Sequence, residues 1–211
     1  MTAQQELWDE ERAQRHAMWA KISSRVMYAP FARKIVECVG PLEAGATIVD
    51  LGTGSGVLSL ELGKLWPQAR IIGVDLSADM LRIARKNAAE AGVSNFETRL
   101  GRAEEIPLES NSANLVVSQS SFHEWEDQQK GLSEVFRILQ SGGRLILKDY
   151  NRAWLSGWKR KLFGFFHHLD MFKFTFEEVA ALLREAGFAE IRGDGRGLHV
   201  FVEASKPTKA D

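Results

Sequence analysis

Cysteine is nearly absent: Cys38 is the only one in 211 residues. No disulfide can form within the chain, and no cysteine-rich metal site is available. Cys38 lies in an apolar helical stretch, the setting of a buried structural thiol rather than a reactive one. The histidines fall at 16, 123, 167, 168 and 199, without the His-Glu-x-x-His spacing that holds zinc, so no metal site is expected. Asp149 and Asn151 are two nearby oxygen donors, too few to define a magnesium site. No apolar run approaches the ~20 residues that span a bilayer. The opening MTAQQELWDEERAQRH alternates charge with polarity and has no apolar core, unlike a secretory signal. A cytoplasmic address is therefore expected. A charge excess is missing too: Lys plus Arg number 27 and Asp plus Glu 28, a net charge of −1. Proteins that rely on phosphate contacts carry a basic excess or a basic face, so nucleic acid is not favoured as substrate, although Lys159-Arg160-Lys161 forms a local basic run.

What remains is the balance of a soluble globular chain, 45% hydrophobic and 26% charged, long enough for one domain over residues 1–211. From Thr47 to Leu147 short β-rich runs alternate with amphipathic helical stretches. Thr47–Leu51 reads as a buried strand, Val57–Trp66 as a helix stopped by Pro67, and Arg70–Leu76 as a second strand. Ser77 is placed to cap a helix over Ala78–Ala91 that Gly92 closes. Asn95–Leu100 and Leu115–Ser118 are further strands. Asp127–Leu139 reads as a helix closed by Ser141-Gly142-Gly143, ahead of a strand over Arg144–Leu147. Such alternation predicts βαβ units and a parallel sheet. After it, Thr175-Phe176-Glu177-Glu178 has capping-box spacing and opens a helix ending near Gly187. Ala189–Asp194 and His199–Ala204 then read as an antiparallel hairpin. The expected segments are a helical stretch (1–40) acting as lid or packing, a ligand-binding core (45–151), an insertion or lid (152–174), and the last helix with its hairpin (175–205).

The stretch Asp50-Leu51-Gly52-Thr53-Gly54-Ser55-Gly56 carries the most chemistry. Three glycines let the chain turn sharply after a strand and let a ligand approach the main chain. The next helix directs its free N–H groups and positive dipole end at the same place. A dinucleotide fingerprint requires Gly-x-Gly-x-x-Gly, whereas this loop is Gly-x-Gly-x-Gly with Val57 following. Asp75 ends the next strand, 19 residues after Gly56, where an acid accepts hydrogen bonds from both hydroxyls of a ribose. Loop and acid together point to a nucleoside-type ligand.

Ile48–Gly56 resembles the first motif of the class I S-adenosylmethionine-dependent methyltransferases, and Gly73-Val74-Asp75-Leu76-Ser77-Ala78-Asp79-Met80-Leu81 resembles their second. Gly101–Pro107, Ser120–Trp125 and Glu134–Leu145 are similar to later segments in the same order. The closest resemblance is to the type 11 branch, which includes quinone-biosynthesis methyltransferases. It implies a doubly wound, Rossmann-like α/β fold with a mostly parallel seven-stranded sheet of order 3-2-1-4-5-7-6 and an antiparallel C-terminal hairpin. It implies S-adenosyl-L-methionine as cofactor, held by Asp50, Gly52, Thr53, Gly54, Gly56, Asp75, Leu76, Met80, Ala103, Glu104, Ser118 and Gln119. Within that set Gly52 and Gly54 border the methionine part, Asp75 holds the ribose, Met80 packs on the adenine and Ala103 offers the base a main-chain contact. Ser118 and Gln119 face the methionine end. Two positions depart from the family: Arg102 stands where an Asp often binds the adenine amino group, and Asn114 where an Asp often opens strand 4. Arginine cannot accept a hydrogen bond, so either Glu104 takes that place or stacking and main chain hold the base.

Displacement of methyl from a sulfonium has its leaving group already activated, so alignment supplies much of the rate, through effective molarities of roughly 10⁵–10⁸ M. A general base helps when the acceptor must lose a proton. His123, just after strand 4, is the candidate, since the ordinary imidazole pKa of about 6.5 suits proton removal at neutral pH. Asp149 and Tyr150 are weaker candidates. Trp154, Trp158, Leu162, Phe165, Phe166 and Leu169 recur at helical spacing. The plainest account is a helix packed on the sheet. An apolar or aromatic acceptor, an oligomer contact or a peripheral membrane attachment would each also explain it. Trp8, Trp19, Tyr28 and Phe31 could close over the site, though core packing accounts for most of them.

The expectation is thus an enzyme that methylates a small-molecule acceptor, apolar or aromatic, by in-line displacement. The alternatives are an S-adenosylmethionine-binding regulatory or partner protein without turnover, and an RNA methyltransferase. The latter lacks an Asn-Pro-Pro-Tyr type motif at Ser118-Gln119-Ser120-Ser121. The glycine spacing argues against a nicotinamide enzyme. The sequence does not specify the oligomeric state.

Overall fold

Thr47–Leu51 (β1) is buried along four of its five residues, as a strand must be when both faces of its sheet are covered. A computed structural model describes residues 27–155 and 169–208, in two compact units, Met1–Arg102 and Ala103–Asp211. In the first unit β1 runs parallel to β2 (Arg70–Asp75), in register from Thr47↔Arg70 to Leu51↔Val74. Strand β2 pairs in parallel with β3 (Phe96–Leu100). Among the described residues this unit has three helices: α1 (Ala29–Val39), α2 (Val57–Leu65) and α3 (Ala78–Ala91). The core includes Ile35, Ile48, Leu62, Ile71 and Ile72, each essentially inaccessible and each worth about 1.5–3 kcal/mol on burial. The Ser77 hydroxyl accepts from the Met80 N–H at the start of α3, and Gly92 closes the helix in the left-handed conformation. Asn95 fastens the bottom of the unit, its amide reaching the carbonyls of Gly63, Trp66 and Ala69.

The second unit holds β4 (Ala113–Gln119), α4 (Gln128–Ile138), β5 (Leu139–Tyr150), α5 (Phe176–Glu185), β6 (Ala189–Asp194) and β7 (His199–Ser205). Strands β4 and β5 are parallel, and β7 lies antiparallel to both β5 and β6. The order through the seven-stranded sheet is β3-β2-β1-β4-β5-β7-β6, as expected. The capping box at Thr175 and Glu178 is fully formed. One boundary differs. Ser141-Gly142-Gly143 does not separate a helix from a strand but lies inside β5, where the register against β4 shifts between Ala113↔Leu139 and Leu115↔Arg144. Extra residues looped out of the ladder need a left-handed position, which Gly142 supplies at φ 75°.

Among the described residues no helix is long and apolar enough to cross a membrane. Phe31 packs in the core of the first unit at 4% exposure, and Tyr28 is the N-cap residue of α1. Trp8, Trp19, the basic run at Lys159 and most of the aromatic stretch, Trp158 to Phe166, lie outside the described residues.

Candidate active site

The turn after β1 is wound by three left-handed glycines, Gly52 at φ 76°, Gly54 at 54° and Gly56 at 81°. A side chain at Gly56 would also strike the Cβ of Ala84 at 3.0 Å, so this glycine is needed both for its conformation and for close packing of α3. Around Gly54 a Cβ would meet none of the described residues within 4 Å, leaving main chain open to an approaching group. The Asp50 carboxylate, 2% exposed, anchors the turn from below. Its Oδ2 accepts from the Thr53 hydroxyl at 2.9 Å and the Ser59 hydroxyl at 2.7 Å, and the two hydroxyls lie 2.9 Å apart. Burial pushes the Asp50 pKa up to about 6, further raised by the charge of Asp75 and held back by the two hydroxyls. Ser59 was not among the expected residues. The signal was available, since a serine between Leu58 and Leu60 on a buried helix needs a partner.

Asp75 ends β2, partly exposed. Its Oδ2 accepts the Gly54 N–H at 2.8 Å and its Oδ1 the Ser77 N–H at 2.9 Å. Burial raises its pKa while the N–H groups of Ser77 and Gly54 pull it down. The Leu76 N–H also favours the ionised form, and two oxygens with two lone pairs each offer more acceptor positions than these N–H groups fill, leaving capacity for a ligand hydroxyl. Thr53 and Gly73 adjoin here too, for a Cβ on Gly73 would come within 2.8 Å of the Thr53 methyl. Leu76 is half-buried, and Met80 is 2% exposed on the first turn of α3.

In the second unit Ala103 and Glu104 are buried. Glu104 Oε1 accepts the Glu126 N–H at 2.7 Å and the Asp127 N–H at 3.1 Å, so this oxygen fixes the approach to α4. Ala103 lies against the same region: a Cβ on Gly131 would touch it at 3.4 Å and the Trp125 ring at 2.5 Å. Asn114 donates to Gln140 at 3.1 Å, tying β4 to β5. At the carboxyl end of β4, Ser118 Oγ and Gln119 Oε1 are buried without a hydrogen-bond partner among the described residues. Ser120 follows at φ 53°, a conformation non-glycine residues rarely hold away from functional turns.

His123 sits on a short 3₁₀ turn (Phe122–Glu124) and meets Asp149, which lies near the end of β5 and is 2% exposed. Asp149 Oδ1 is 2.8 Å from His123 Nδ1, Oδ2 accepts the His123 main-chain N–H at 3.0 Å, and Oδ1 also accepts the Tyr150 N–H at 2.6 Å. The weaker candidates are therefore joined to the stronger one: Asp149 directly, and Tyr150 through its ring, edge-on to His123 at 5.7 Å between centroids. The Tyr150 ring also meets Phe172 at 5.4 Å and His199 at 5.3 Å, and Trp154 stacks on Phe172 at 6.1 Å. Burial and the charges of Asp149 and Glu124 raise the Tyr150 pKa against the Ser120 hydroxyl. Burial and the charge of Lys148 lower that of His199 to about 4, opposed by Asp149. His199 was missed because only the β5–β7 register, Tyr150↔His199, brings it here. Asn151 is spent on structure, its amide donating to the carbonyls of Gly195 and Gly197 and its oxygen accepting from Ala153.

In the first unit Asp75 and the open main chain at Gly54 fit the hydroxyls of a ribose. In the second, Ser118 and Gln119 hold buried polar atoms without a partner among the described residues.

Residues 42–187 match the family model described as a methyltransferase domain. Demethylmenaquinone methyltransferase of Listeria monocytogenes is 24% identical over 199 residues, covering 84% of this chain and 78% of that protein. Malonyl-[acyl-carrier protein] O-methyltransferase of Methylococcus capsulatus is 33% identical over 157 residues, 72% of this chain and 55% of that protein. Against another curated relative the chain spans 27% of the length. Among solved structures, an S-adenosylmethionine-dependent methyltransferase of Methanococcus maripaludis is 26% identical with a TM-score of 0.77, covering 96% of this chain and 95% of that one.

Proposed function

This chain belongs to the methyltransferase-domain family, as a class I S-adenosylmethionine-dependent methyltransferase of the type 11 branch, and on that premise we propose that it methylates a small apolar or aromatic acceptor by direct in-line displacement, with His123 receiving the acceptor's proton. The observation that carries the cofactor half is the arrangement of Asp75, whose carboxylate is held by main-chain N–H groups on both oxygens beside a left-handed glycine turn. When bound, S-adenosylmethionine supplies a methyl group on a positively charged sulfur, already activated for displacement.

Each residue then has a task. Asp75 receives the ribose hydroxyls, and the open main chain at Gly52 and Gly54 borders the methionine part. Asp50, buried under the turn, keeps Thr53 and the loop in shape and places negative charge beneath a cationic ligand. Leu76 presents an apolar surface to the base, with Met80 buried on the first turn of α3; Ala103 offers a main-chain contact, and Ser118 and Gln119 polar atoms for the amino-acid end. Glu104 contributes by shaping the turn that leads into α4, since Oε1 already accepts two N–H bonds there. His123, just beyond the end of β4, is held by Asp149 from the core side.

Calorimetric titration with S-adenosylmethionine and S-adenosylhomocysteine tests the cofactor assignment. Loss of two hydrogen bonds to a charged acceptor, about 1.5–3 kcal/mol each, should weaken both ligands on the order of 100-fold or more in Asp75→Ala. Equal affinity in wild type and variant would remove Asp75 from the site. Binding without transfer to any acceptor would favour the regulatory reading.

A further inference from the structure

We infer that Asp149 is a positioning residue that fixes the tautomer of His123, and that the acceptor is a neutral, flat ring bearing a weakly acidic hydroxyl, methylated on oxygen. The inference rests on the methyltransferase reading and names the acceptor class for the same site.

The tautomer follows from donors and acceptors. An ionised carboxylate can only accept, so at 2.8 Å from Asp149 Oδ1 the His123 Nδ1 must carry the hydrogen. The second Asp149 oxygen holds the His123 main-chain N–H, which fixes the ring and the peptide together. Neutral His123 thus keeps its lone pair on Nε2. Among the described residues no hydrogen bond reaches Nε2, and the carboxylate of Glu124 is 3.9 Å away, too far for one. A lone pair held ready in this way serves an acceptor that arrives with a proton and must lose it.

The surroundings select the acceptor's charge. Asp149 and Glu124 both lie near the imidazole, so an acceptor that is already an anion, such as a carboxylate, meets two like charges and needs no base. A cationic ammonium has no lone pair on nitrogen with which to attack the methyl carbon, so it is no acceptor in that form, and His199 in the same cluster is itself held below its ordinary pKa by burial and by the charge of Lys148, against the pull of Asp149. What remains is a neutral acceptor. The Tyr150 ring, edge-on to His123 and itself packed on Phe172 and His199, offers flat apolar contact beside the imidazole, for which aromatic partners are suited. A phenol-type hydroxyl meets all three conditions.

In the step so defined, the O–H bond breaks toward His123 Nε2 as the oxygen bonds to the methyl carbon. The carbon–sulfur bond breaks with its electron pair going to sulfur, leaving the neutral thioether and an imidazolium. That imidazolium is stabilised by Asp149 until its proton passes to solvent.

The test uses the full chain and begins with calorimetric binding of S-adenosylhomocysteine, whose failure would sink the methyltransferase reading itself. With binding established, S-adenosylmethionine bearing a deuterated methyl group is offered with 1-naphthol, benzoate or phenethylamine, and products are read by mass spectrometry. Label on the naphthol oxygen is expected. Label only on the amine or carboxylate, or none on any hydroxyl, overturns the acceptor class. His123→Gln and Asp149→Asn are then compared with wild type on 1-naphthol and on 4-nitrophenol, whose much more acidic hydroxyl depends less on a base. Both variants should lose about 100-fold or more on naphthol, the scale of general-base catalysis, and far less on the nitrophenol. Equal losses on the two phenols would mean the pair serves only structure. Partly exposed His123 keeps the test valid should the Asp149 variant fold poorly.

Discussion

Replacing Asp50 by Asn should stabilise the protein at neutral pH while weakening its hold on a cationic ligand. The Asp50 carboxyl is buried and its pKa stands at about 6 in the fold against 3.8 for the free group. Below pH 3.8 both folded and unfolded chains carry the proton, and nothing is lost. As the pH rises through this window the unfolded chain gives up its proton first, so folding must retain one. Above pH 6 the ionised group is buried at a cost, which at about 1.4 kcal/mol per pH unit amounts to about 3 kcal/mol. Asparagine keeps a carbonyl for the Thr53 and Ser59 hydroxyls and cannot ionise. Urea unfolding of both proteins from pH 4 to 7.5 should give matching stabilities at the acid end. The variant's advantage should then open to about 2–3 kcal/mol by pH 7. Its affinity for S-adenosylmethionine should fall more than that for neutral S-adenosylhomocysteine. Stability curves that run parallel across the range would refute the reasoning, because the buried carboxyl would then be titrating at its ordinary value.

His199 should titrate with a midpoint near 4 when its ring protons are followed by NMR, and its contribution to stability, complete above the ordinary 6.5, should fade as the pH drops toward 4. A midpoint near 6.5 would show that burial and Lys148 do not hold its pKa down. Gly73→Ala should lower stability by about 1–3 kcal/mol, since the new Cβ would come within 2.8 Å of both Phe96 and Thr53. An unchanged melting temperature would show that the loop yields without cost.

The first unit was legible because each of its features is local in sequence. The glycine turn, the Ser77 cap and Asp75 at the end of β2 lie within 30 residues and answer to backbone rules that act over one turn or one strand. The capping box at Thr175 was readable for the same reason. The second unit resisted where its chemistry depends on register. Nothing near Asp149 in the sequence announces His123, which is 26 residues away, and His199 meets Tyr150 only because β7 runs antiparallel to β5. Glu104 illustrates the converse. Its position suggested a base contact, but the main-chain N–H groups of residues 126 and 127 compete for the same oxygen, and no linear pattern reveals that competition. The Ser141-Gly142-Gly143 cluster reads as a helix stop, yet a left-handed glycine serves a bulge inside a strand equally well.

The places where this chain forgoes stability also mark where a ligand belongs. A buried polar atom left unpaired costs about 1–3 kcal/mol, and among the described residues Ser118 Oγ and Gln119 Oε1 both stand unpaired at the end of β4. Ser120 adds a left-handed backbone without being glycine, a conformation worth roughly 1–3 kcal/mol of strain. Asp50 adds the cost of a buried charge. A chain free to optimise its fold alone would lose little by placing alanine or valine at 118 and glycine at 120. Retaining these groups is expected if a bound molecule supplies the missing partners, for then the binding free energy includes the return of what folding gave up. Ligand binding should accordingly raise the stability of the wild type more than that of a Ser118→Ala chain, in proportion to how much of that deficit the ligand removes.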